Sequence, residues 1–571
     1  MMRPWRVGFV CWAIGLWLTA GVRAQSLADD VQARLARQLA SDRPPAVLGV
    51  AGGWSRRAWV LTRQFYAQRE GRPGWIFAAG FDKPLQDLIQ VLARAEEQGL
   101  DSADYPIPRL LASLAGPRAD PDSLALLDLT ATFAFFRFGA DLALGRVSPA
   151  AVDTMWAAAP RSVDLVTRLA GALDSNRVAL AVEALAPPQA GAVRLRAGLA
   201  RYREIAARGG WADVPAGPPL TLGAEGPRVV ALRERLAATG QLPLVGALFD
   251  STVLEAVERA QARHGLEVDG VVGPATLAAL NVPVADRIRQ LELNLERWRW
   301  LPFELGDRYI AVNSAAFTLA VIDSGCTLFV APVIAGRVDW PTPITSGTLT
   351  DVVFNPRWNI PRSIAVREVL PAVRRDPMYL ARQGIHVMSD ATELDPALIH
   401  WDRVGDSAFA YWFWQEPGPR NPLGRIRFGI SNRFGVALHD TPNQGPFRLR
   451  TRVFSHGCVR VAGAEALAAY VLGAVPGWGV NAEDSVRVAV SQPIERFVPV
   501  PQSMPVYLDY WTAWVDEDGT VQFRPDVYRW DAELAAALRG AYLRRVAPNT
   551  SGIRGSAGAR AATRVPCDSG G

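Results

Sequence analysis

The sequence predicts a multidomain α+β protein, in which a helical region is followed by a three-helix module and a mostly β domain. The chain has 571 residues, of which 49% are hydrophobic and 20% charged. It is too long for one hydrophobic core and too apolar for wholesale disorder. Apolar residues recur with helical spacing up to about residue 215. From Tyr309 onward, short runs rich in Val, Ile and Phe alternate with turn residues.

The charge pattern argues against a nucleic-acid partner. The net charge is +5, and Lys83 is the single lysine, so almost all basic residues are arginines. They are scattered among nearly as many acids, with no basic block and no nucleic-acid module signature. Beyond residue 24 no segment has ~18 uninterrupted apolar residues, which argues against a polytopic membrane protein.

Residues 1–24 are typical of a secretory signal peptide. Arg3 and Arg6 precede an apolar run over 7–20, and Val22-Arg23-Ala24 fits a small-x-small cleavage site. Cleavage would lower the net charge to +2, since it removes three arginines and no acid. The alternative is a retained membrane anchor, and we expect membrane contact only in that case.

Cysteine usage indicates one functional thiol rather than a disulfide framework. Cleavage would remove Cys11 and leave Cys326, Cys458 and Cys567. Three cysteines in a long exported chain do not form a disulfide scaffold, and an odd number leaves at least one thiol free or paired between chains. Cys326 lies at a predicted turn between two strands, and we interpret it as structural.

The first half of the chain predicts two helical domains. Residues 25–215 contain helical periodicity over 85–97, 124–144 and 193–207, with no cluster of His, Cys or paired acids, and we interpret them as a scaffold.

A Pro-rich linker at 213–220 leads into the module at 220–283, where three short helices are predicted. The second of them should begin near Thr252, with Glu255 completing a capping box.

The second half predicts a linking helix and a β domain. Residues 284–305 form an amphipathic helical segment, and 306–490 contain the strands, interrupted by an irregular insertion at 360–420. A C-terminal hairpin extension at 491–547 and a disordered Gly/Ser-rich tail at 548–571 follow. The insertion carries five closely spaced aromatic residues, namely Phe409, Tyr411, Trp412, Phe413 and Trp414.

Candidate chemistry is concentrated around Cys458. His439 ends a predicted strand, and Ser455-His456-Gly457-Cys458 follows after a 15-residue loop. A cysteine nucleophile needs an imidazole nearby, and that imidazole needs an acceptor on its other nitrogen. Glycine lets backbone N–H groups approach as an oxyanion hole. This combination is typical of acyl transfer through a thioester.

Three other interpretations of this cluster remain open. Cys458 could be a buried structural cysteine with two incidental histidines. It could form a zinc site with His439 and His456, although no fourth ligand stands at metal spacing. It could also form a disulfide with Cys326 or Cys567.

Several motifs resemble known families. H-D-T-P at 439–442 and S-H-G-C-V-R-V at 455–461 resemble the signature of the L,D-transpeptidase catalytic domain, or YkuD domain. The segment around H-G-L-x-x-D-G at 264–270 and the following G-P-A-T-L resemble peptidoglycan-binding domain type 1. Similarity to the large periplasmic YcbB-like form extends over four further segments, at 336–343, 355–365, 415–424 and 510–519.

The resemblance implies a periplasmic peptidoglycan L,D-transpeptidase without metal or cofactor. Family members take a tetrapeptide stem as acyl donor and form 3→3 cross-links to a diaminopimelate side-chain amine. Peptidoglycan stems and glycan are the implied partners, carbapenems the implied inhibitors, and we expect a monomer. The alternatives are an L,D-carboxypeptidase acting on the same donor, and a non-catalytic wall-binding protein.

The resemblance also implies roles for individual residues. Cys458 would be the nucleophile, His439 the general base, and the main-chain carbonyl of Asp440 its orienting acceptor. His456 and Gly457 would shape the oxyanion side. The insertion at 360–420 would be a capping subdomain over the substrate. The expected substrate-binding residues are Ser455, Arg460, Trp414 and Asn421.

Overall fold

The N-terminal region is helical. The structure, a computed structural model, describes residues 27–48, 53–76, 82–115, 120–158, 161–240, 246–405, 409–479 and 481–546. Helices in the scaffold region span 27–39, Gly53–Gln68, Asp82–Ala93, Ile107–Ala115, Pro121–Leu144, Pro149–Val152, Leu165–Asp174, Val178–Glu183 and Ala190–Ala207, with short 3₁₀ turns at Ala46–Leu48, Ala95–Gln98 and Ser102–Asp104. The predicted signal peptide and tail, with Cys11 and Cys567, lie outside the described residues.

The helix Pro121–Leu144 is the centre of the scaffold core. Asp120 caps its first turn by accepting hydrogen bonds from two backbone N–H groups, and Pro121 occupies the first helical position. Within the described ranges this is the one helix that is long and apolar enough to cross a membrane, and 89% of its apolar window is buried inside the protein. Its apolar surface is therefore already covered by the scaffold.

The module consists of the three predicted short helices, at Pro227–Ala237, Ser251–Arg263 and Pro274–Leu280. The predicted capping box is wrong. Asp250 caps the second helix by accepting from the N–H of Val253 at 3.0 Å, while Glu255 pairs with Arg259 one turn later. An aspartate immediately before the helix is an equally good cap.

The module packs against its neighbours through its second helix. The Arg263 guanidinium donates to the hydroxyl of Tyr202 in the scaffold at 2.6 Å. The ring of His264 is buried and stacks on Phe523 of the C-terminal hairpin at 5.8 Å. Arg450, in the loop before Ser455, pairs with Glu267 at 2.9 Å. His264 is thus a packing residue, and the module contacts both scaffold and β domain.

The linking helix Val284–Trp298 joins the domains by burying polar side chains. Glu296 accepts hydrogen bonds from the N–H groups of Arg146 and Val147 in the scaffold, and pairs with Arg299 at 2.8 Å. Asn294 donates to Thr512 in the C-terminal region at 2.9 Å. Because these groups are buried, their partners must be held in fixed positions.

A ten-stranded sheet forms the β domain. Its strands are Trp156–Ala157, Arg308–Asn313, Thr318–Asp323, Cys326–Gly336, Ile344–Phe354, Ile426–Ile430, Leu438–His439, Val453–Ser455, Val459–Val461 and Arg496–Asp509. Helices Ala464–Leu472 and Ala482–Ser491 pack on its apolar face. The strand that was predicted to end at His439 begins only at Leu438, because Asn432 bonds to the backbone of Val436 and turns the chain there.

A strand beyond the expected domain end at residue 490 closes the sheet. Strand Arg496–Asp509 pairs in parallel with Arg308–Asn313 and antiparallel with Ile344–Phe354, which closes eight strands into a ring. The predicted C-terminal hairpin extension is therefore divided between this ring and the short hairpin Ala513–Val515 with Val521–Phe523. The final helix, Trp530–Val546, was not predicted.

The insertion folds around its own core. It contains a four-stranded sheet of Trp358–Ile360, Trp412–Gln415, Ile385–Ser389 and Thr392–Leu394. Helical turns lie at Arg362–Ile364, Ala365–Val369, Leu370–Arg375 and Tyr379–Gln383, with 3₁₀ turns at Pro396–Leu398 and Trp401–Arg403. Phe409 and Phe413 are buried in its core, whereas Trp412 is 43% exposed. The predicted α+β fold class is confirmed.

Replacing Glu296 with alanine should destabilise the protein strongly. The change leaves Arg299, whose side chain is 3% exposed, without its carboxylate partner, and breaking a buried ion pair costs about 3–5 kcal/mol. Glu292→Ala on the same helix is the control, because its pair with Arg203 is more exposed and should contribute under about 1 kcal/mol. Calorimetric melting of both variants tests this, and equal melting temperatures would contradict it.

Candidate active site

A short parallel strand pair brings His439 and Cys458 to one face of the sheet. Leu438 lies opposite Val459 and His439 opposite Arg460. Side chains alternate between faces along a strand, so Arg460 and Cys458, two residues apart, share the face of His439. Leu438 and Val459 point into the apolar core and are fully buried. His439 and Cys458 line the same cleft.

His439 is buried and held as a neutral imidazole. Its Nδ1 donates to the main-chain oxygen of Asp440 at 2.5 Å. Burial, and then the charge of Arg460, lower the pKa of His439 to about 3, with a smaller lowering by Arg427. The carbonyl groups of Asp440 and Leu423 act in the opposite direction but do not offset this. The imidazole ring is therefore oriented by the carbonyl of Asp440, and its protonation costs free energy.

Arg427 is held beside His439 by a carboxylate on the next strand. Arg427 lies opposite His439 in the sheet, and its guanidinium pairs with Asp351 at 3.4 Å. Gly429 lies opposite Asp351, and a Cβ at Gly429 would come within 2.0 Å of the Asp351 carboxylate. Residue 429 must therefore be glycine if the Asp351 carboxylate is to lie in this position.

The turn at 455–458 is braced from within. Ser455 is buried, and its hydroxyl donates to the main-chain oxygen of Cys458. Oγ of Ser455 in turn accepts from the N–H of Gly457 at 3.2 Å. Gly457 has φ 108°, a conformation that favours glycine. Thr342, fully buried, donates to the carbonyl of Gly457 at 2.9 Å. Ser455 thus supports the backbone that carries Cys458.

His456 is held by a residue of the insertion. Its Nε2 lies 2.6 Å from Oε1 of Glu368, and its ring lies 4.4 Å from that of Trp340. Glu368 also pairs with Arg337 at 3.6 Å. Hydrogen bonding to His456, together with the charges of His456 and Arg337, keeps the pKa of Glu368 below its usual range despite partial burial.

The cleft between sheet and insertion has a volume of about 1450 Å³. Its aromatic lining comprises Trp358, Tyr379, Tyr411, Trp412, Phe413, Trp414 and Phe497. Its charged lining comprises Asp351, Glu368 and Glu495 against Arg357, Arg362, Arg420, Arg427 and Arg460. All three carboxylates already have basic partners, so the excess charge facing a ligand is positive.

Arg460 and Trp414 line the cleft as predicted. Within the described part of the chain, Nε of Arg460 is buried without a hydrogen-bond partner, so the guanidinium retains donor capacity. One face of Trp414 is stacked on His386 at 4.1 Å with the rings nearly parallel. Trp414 is therefore fixed by the insertion as well as exposed to the cleft.

Asn421 does not face the cleft. It is fully buried and is not among the residues that line the cleft. Its amide donates to the carbonyls of Pro356 and Glu416 and accepts from Leu423, so it shapes a turn behind the cleft wall. The N–H of Gly457 donates to Oγ of Ser455 inside the turn.

The residues that support the turn at 455–458 were not predicted from the sequence. Thr342 and Trp340 belong to the 336–343 motif, but the resemblance of this motif to known proteins does not reveal that the two residues contact the turn. Glu368 and Asp351 had no local signal, because a carboxylate beside a distant histidine or arginine is visible only in the fold.

Two of the alternative roles for Cys458 require a second cysteine or a group of metal ligands. Cys326 lies at the predicted turn between two strands, where its thiol is exposed and free. Cys458 forms no disulfide with it. Among the described residues no group of three or more His, Cys, Asp or Glu could hold a metal ion.

A thiol and an oriented neutral imidazole in an aromatic, positively charged cleft define a site suited to nucleophilic chemistry at sulfur. Residues 307–495 match the family model "L,D-transpeptidase catalytic domain", the YkuD domain. Residues 60–199 match "Scaffold domain", and residues 225–280 match "Putative peptidoglycan binding domain". The predicted family resemblance is confirmed.

Known proteins resemble parts of the chain. A "Putative L,D-transpeptidase" of Haemophilus influenzae is 32% identical over 251 residues, which are 44% of this chain and 49% of that protein. The match thus spans about half of the relative's length.

Two solved structures have low global similarity. An L,D-transpeptidase fragment from Xylanimonas cellulosilytica has 19% identity and a TM-score of 0.17, covering 52% of this chain and 99% of its own. The Ldtfm-avibactam carbamoyl enzyme has 11% identity and a TM-score of 0.15, covering 55% and 98%. TM-scores this low carry no information about the fold or the function of this chain.

The buried neutral His439 should make the protein less stable in acid. Its pKa is about 3 in the folded protein and about 6.5 when unfolded. The unfolded state therefore binds the proton first, and stability falls as pH drops below 6.5. Between pH 7.5 and pH 5 the loss from this group is about 2 kcal/mol, or about 2 °C in the melting temperature of a chain of this length.

His439→Gln should remove this part of the acid-induced fall. His386→Gln is the control, because two glutamates outweigh burial and raise the pKa of His386, so its contribution has the opposite sign. Melting temperatures of the three proteins at pH 7.5 and pH 5 provide the measurement. An equal fall in wild type and His439→Gln would contradict the neutral, buried state.

Proposed function

We propose that the protein is a peptidoglycan L,D-transpeptidase that forms 3→3 cross-links. The observation that carries the proposal is the shared sheet face of His439 and Cys458 at the bottom of one cleft. The catalytic-domain match supports the reaction class. The donor would be a tetrapeptide stem, and the acceptor the side-chain amine of diaminopimelate in another stem.

The reaction exchanges one amide bond for another through Cys458. The sulfur attacks the carbonyl carbon of the third stem residue, and the bond to the terminal D-Ala breaks. The thiol proton passes to His439 and then to the leaving amine. The acceptor amine next attacks the thioester, loses its proton to His439, and Cys458 regains that proton. No ATP is needed, because the energy of the broken amide is conserved in the thioester.

Arg460 and Arg427 would couple donor binding to the basicity of His439. Both charges lower the pKa of His439. A donor stem carries carboxylates, and a carboxylate placed against Arg460 would offset its charge. The imidazole would then accept the thiol proton more readily. Substrate binding itself would thus raise the pKa of His439 toward the range in which it can act as a general base.

The insertion would cover the donor and keep water from the thioester. Tyr411, Trp412 and Trp414 face the cleft from the insertion, opposite the strand face that carries Cys458. Water exclusion favours the amine over hydrolysis, and this favours transpeptidation over the L,D-carboxypeptidase alternative. Ser455 would act by bracing the turn and Asp440 by orienting the base.

The remaining domains support an envelope function. We propose that the scaffold at 25–215 and the module at 220–283 fix the catalytic domain relative to peptidoglycan, in an exported protein of the cell envelope. The match of residues 225–280 supports wall binding. The catalytic domain would include 496–509 in addition to the expected 306–490. A purely wall-binding protein would not need the oriented His439.

Cys458→Ala should abolish product formation without unfolding the protein. Cys326→Ser is the matched control, because Cys326 is an exposed thiol at the far end of the sheet strand Cys326–Gly336. Purified disaccharide-tetrapeptide is incubated with each variant, and the products are identified by mass spectrometry. A fully active Cys458→Ala variant would remove the nucleophile assignment.

The same spectra separate the candidate functions. A cross-linked dimer that has lost one D-Ala indicates transpeptidation. A tripeptide as the sole product indicates the carboxypeptidase, and no product from a folded wild type that binds sacculi indicates the wall-binding alternative.

A carbapenem should acylate Cys458 once. Its strained amide carbonyl presents the same electrophile as the donor stem, and ring opening leaves a covalent adduct on sulfur. Intact-mass analysis should show one adduct in wild type and in Cys326→Ser, and none in Cys458→Ser. An adduct that persists in Cys458→Ser would contradict the site.

A further inference from the structure

The carboxylate of Glu368, in the insertion, contacts the turn that carries Cys458. Glu368 lies in the single π-helical turn Ala365–Val369, and its Oε1 is 2.6 Å from Nε2 of His456. π-Helical turns are rare in proteins, and those that occur are often found at functional sites. Such a turn displaces a side chain from its regular helical position. Both Glu368 and His456 line the cleft.

A second group of residues holds His456 from the sheet side. The ring of Trp340 lies 4.4 Å from the imidazole, with Arg337 over Trp340 at 4.7 Å. Arg337 pairs with Glu368 and donates its backbone N–H to the carbonyl of Ser455 at 2.8 Å. The loop 336–342 thus contacts the turn and the insertion at the same point.

This loop has few alternative conformations. A Cβ at Gly336 would come within 2.1 Å of the Trp340 carbonyl. Thr342 accepts from the N–H of Gly336 and donates to Gly457, and Tyr528 donates to the carbonyl of Gly336 at 2.6 Å. Trp340 and Arg337 are therefore presented to His456 and Glu368 from a fixed backbone.

We propose that Glu368 is a positioning residue that acts on Cys458 through His456. Its carboxylate holds the proton of His456 on Nε2 and fixes the imidazole two residues before the nucleophile. Because Glu368 belongs to the insertion, this contact makes the orientation of His456 depend on the insertion as well as on the sheet. The coupling to turnover rests on the proposed transpeptidase function, whereas the state of His456 does not.

The insertion provides its own control. Glu393 lies 2.6 Å from Nδ1 of His386, the same separation as that of Glu368 and His456. Glu393 does not line the cleft. Glu393→Ala therefore removes an equivalent carboxylate–imidazole pair from the same subdomain without touching the turn.

The first experiment follows the histidine nitrogens by NMR in ¹⁵N-histidine-labelled full-length protein. The chain has five histidines, and His456→Gln identifies the signals of His456. We expect Nε2 of His456 to carry a proton in wild type and Glu393→Ala, and to lose this fixed state in Glu368→Ala. An unchanged His456 spectrum in Glu368→Ala, or an unprotonated Nε2 in wild type, would overturn the proposal.

The second experiment measures turnover of disaccharide-tetrapeptide. Glu368→Ala should lower kcat about tenfold or more, the scale expected for a misplaced reacting group. Glu368→Gln keeps an acceptor oxygen and should stay within about threefold of wild type, as should Glu393→Ala. Adding Glu368→Ala to His456→Ala should cause no further loss. Losses that multiply in the double variant, or a Gln variant as impaired as Ala, would overturn the proposal.

Two further controls separate the possible failures. Glu368→Leu keeps the bulk of the side chain and replaces Glu368→Ala if the alanine variant melts early. If the wild type makes no product, the proposed function fails, and the spectrum of His456 still decides the role of Glu368.

Discussion

The site depends on the parallel pairing of two very short strands. Leu438–His439 and Val459–Val461 share only two residue pairs, yet this register decides that His439 and Cys458 face the cleft while Leu438 and Val459 fill the core. A shift by one residue would exchange these faces. The closed ring of eight strands and the buried brace of Ser455 prevent that shift.

The electrostatics of the cleft follow from the same register. His439 lies between Arg427 and Arg460 on adjacent strands, so two positive charges oppose its protonation. Such a site is poor at generating an imidazolium by itself. It is well suited to a ligand that brings negative charge, because the ligand then supplies the missing counter-charge. Selectivity for a carboxylate-bearing donor and activation of the base would share one physical cause.

The helices and strands that depend on local residue patterns could be predicted from the sequence. The three module helices, the linking helix and most strands follow from periodicity, and the His439–Cys458 pair from spacing and resemblance. The first part of strand Arg496–Asp509 was missed because its prolines obscure the alternation, which the structure accommodates with an irregular register between Pro499 and Met504. Asn421 was misassigned because a motif position does not show whether a side chain faces the cleft or the backbone.

The fixed packing of the module changes how it can act. A flexibly tethered binding domain raises the local concentration of substrate in all orientations. Here Arg263 and His264 contact the scaffold and the C-terminal hairpin, and Glu267 pairs with Arg450 in the loop that leads to Ser455. A wall strand bound to the module would therefore reach the cleft in a preferred orientation. Under the proposed function, the module would contribute to the choice of donor stem by geometry, which a flexible tether cannot do.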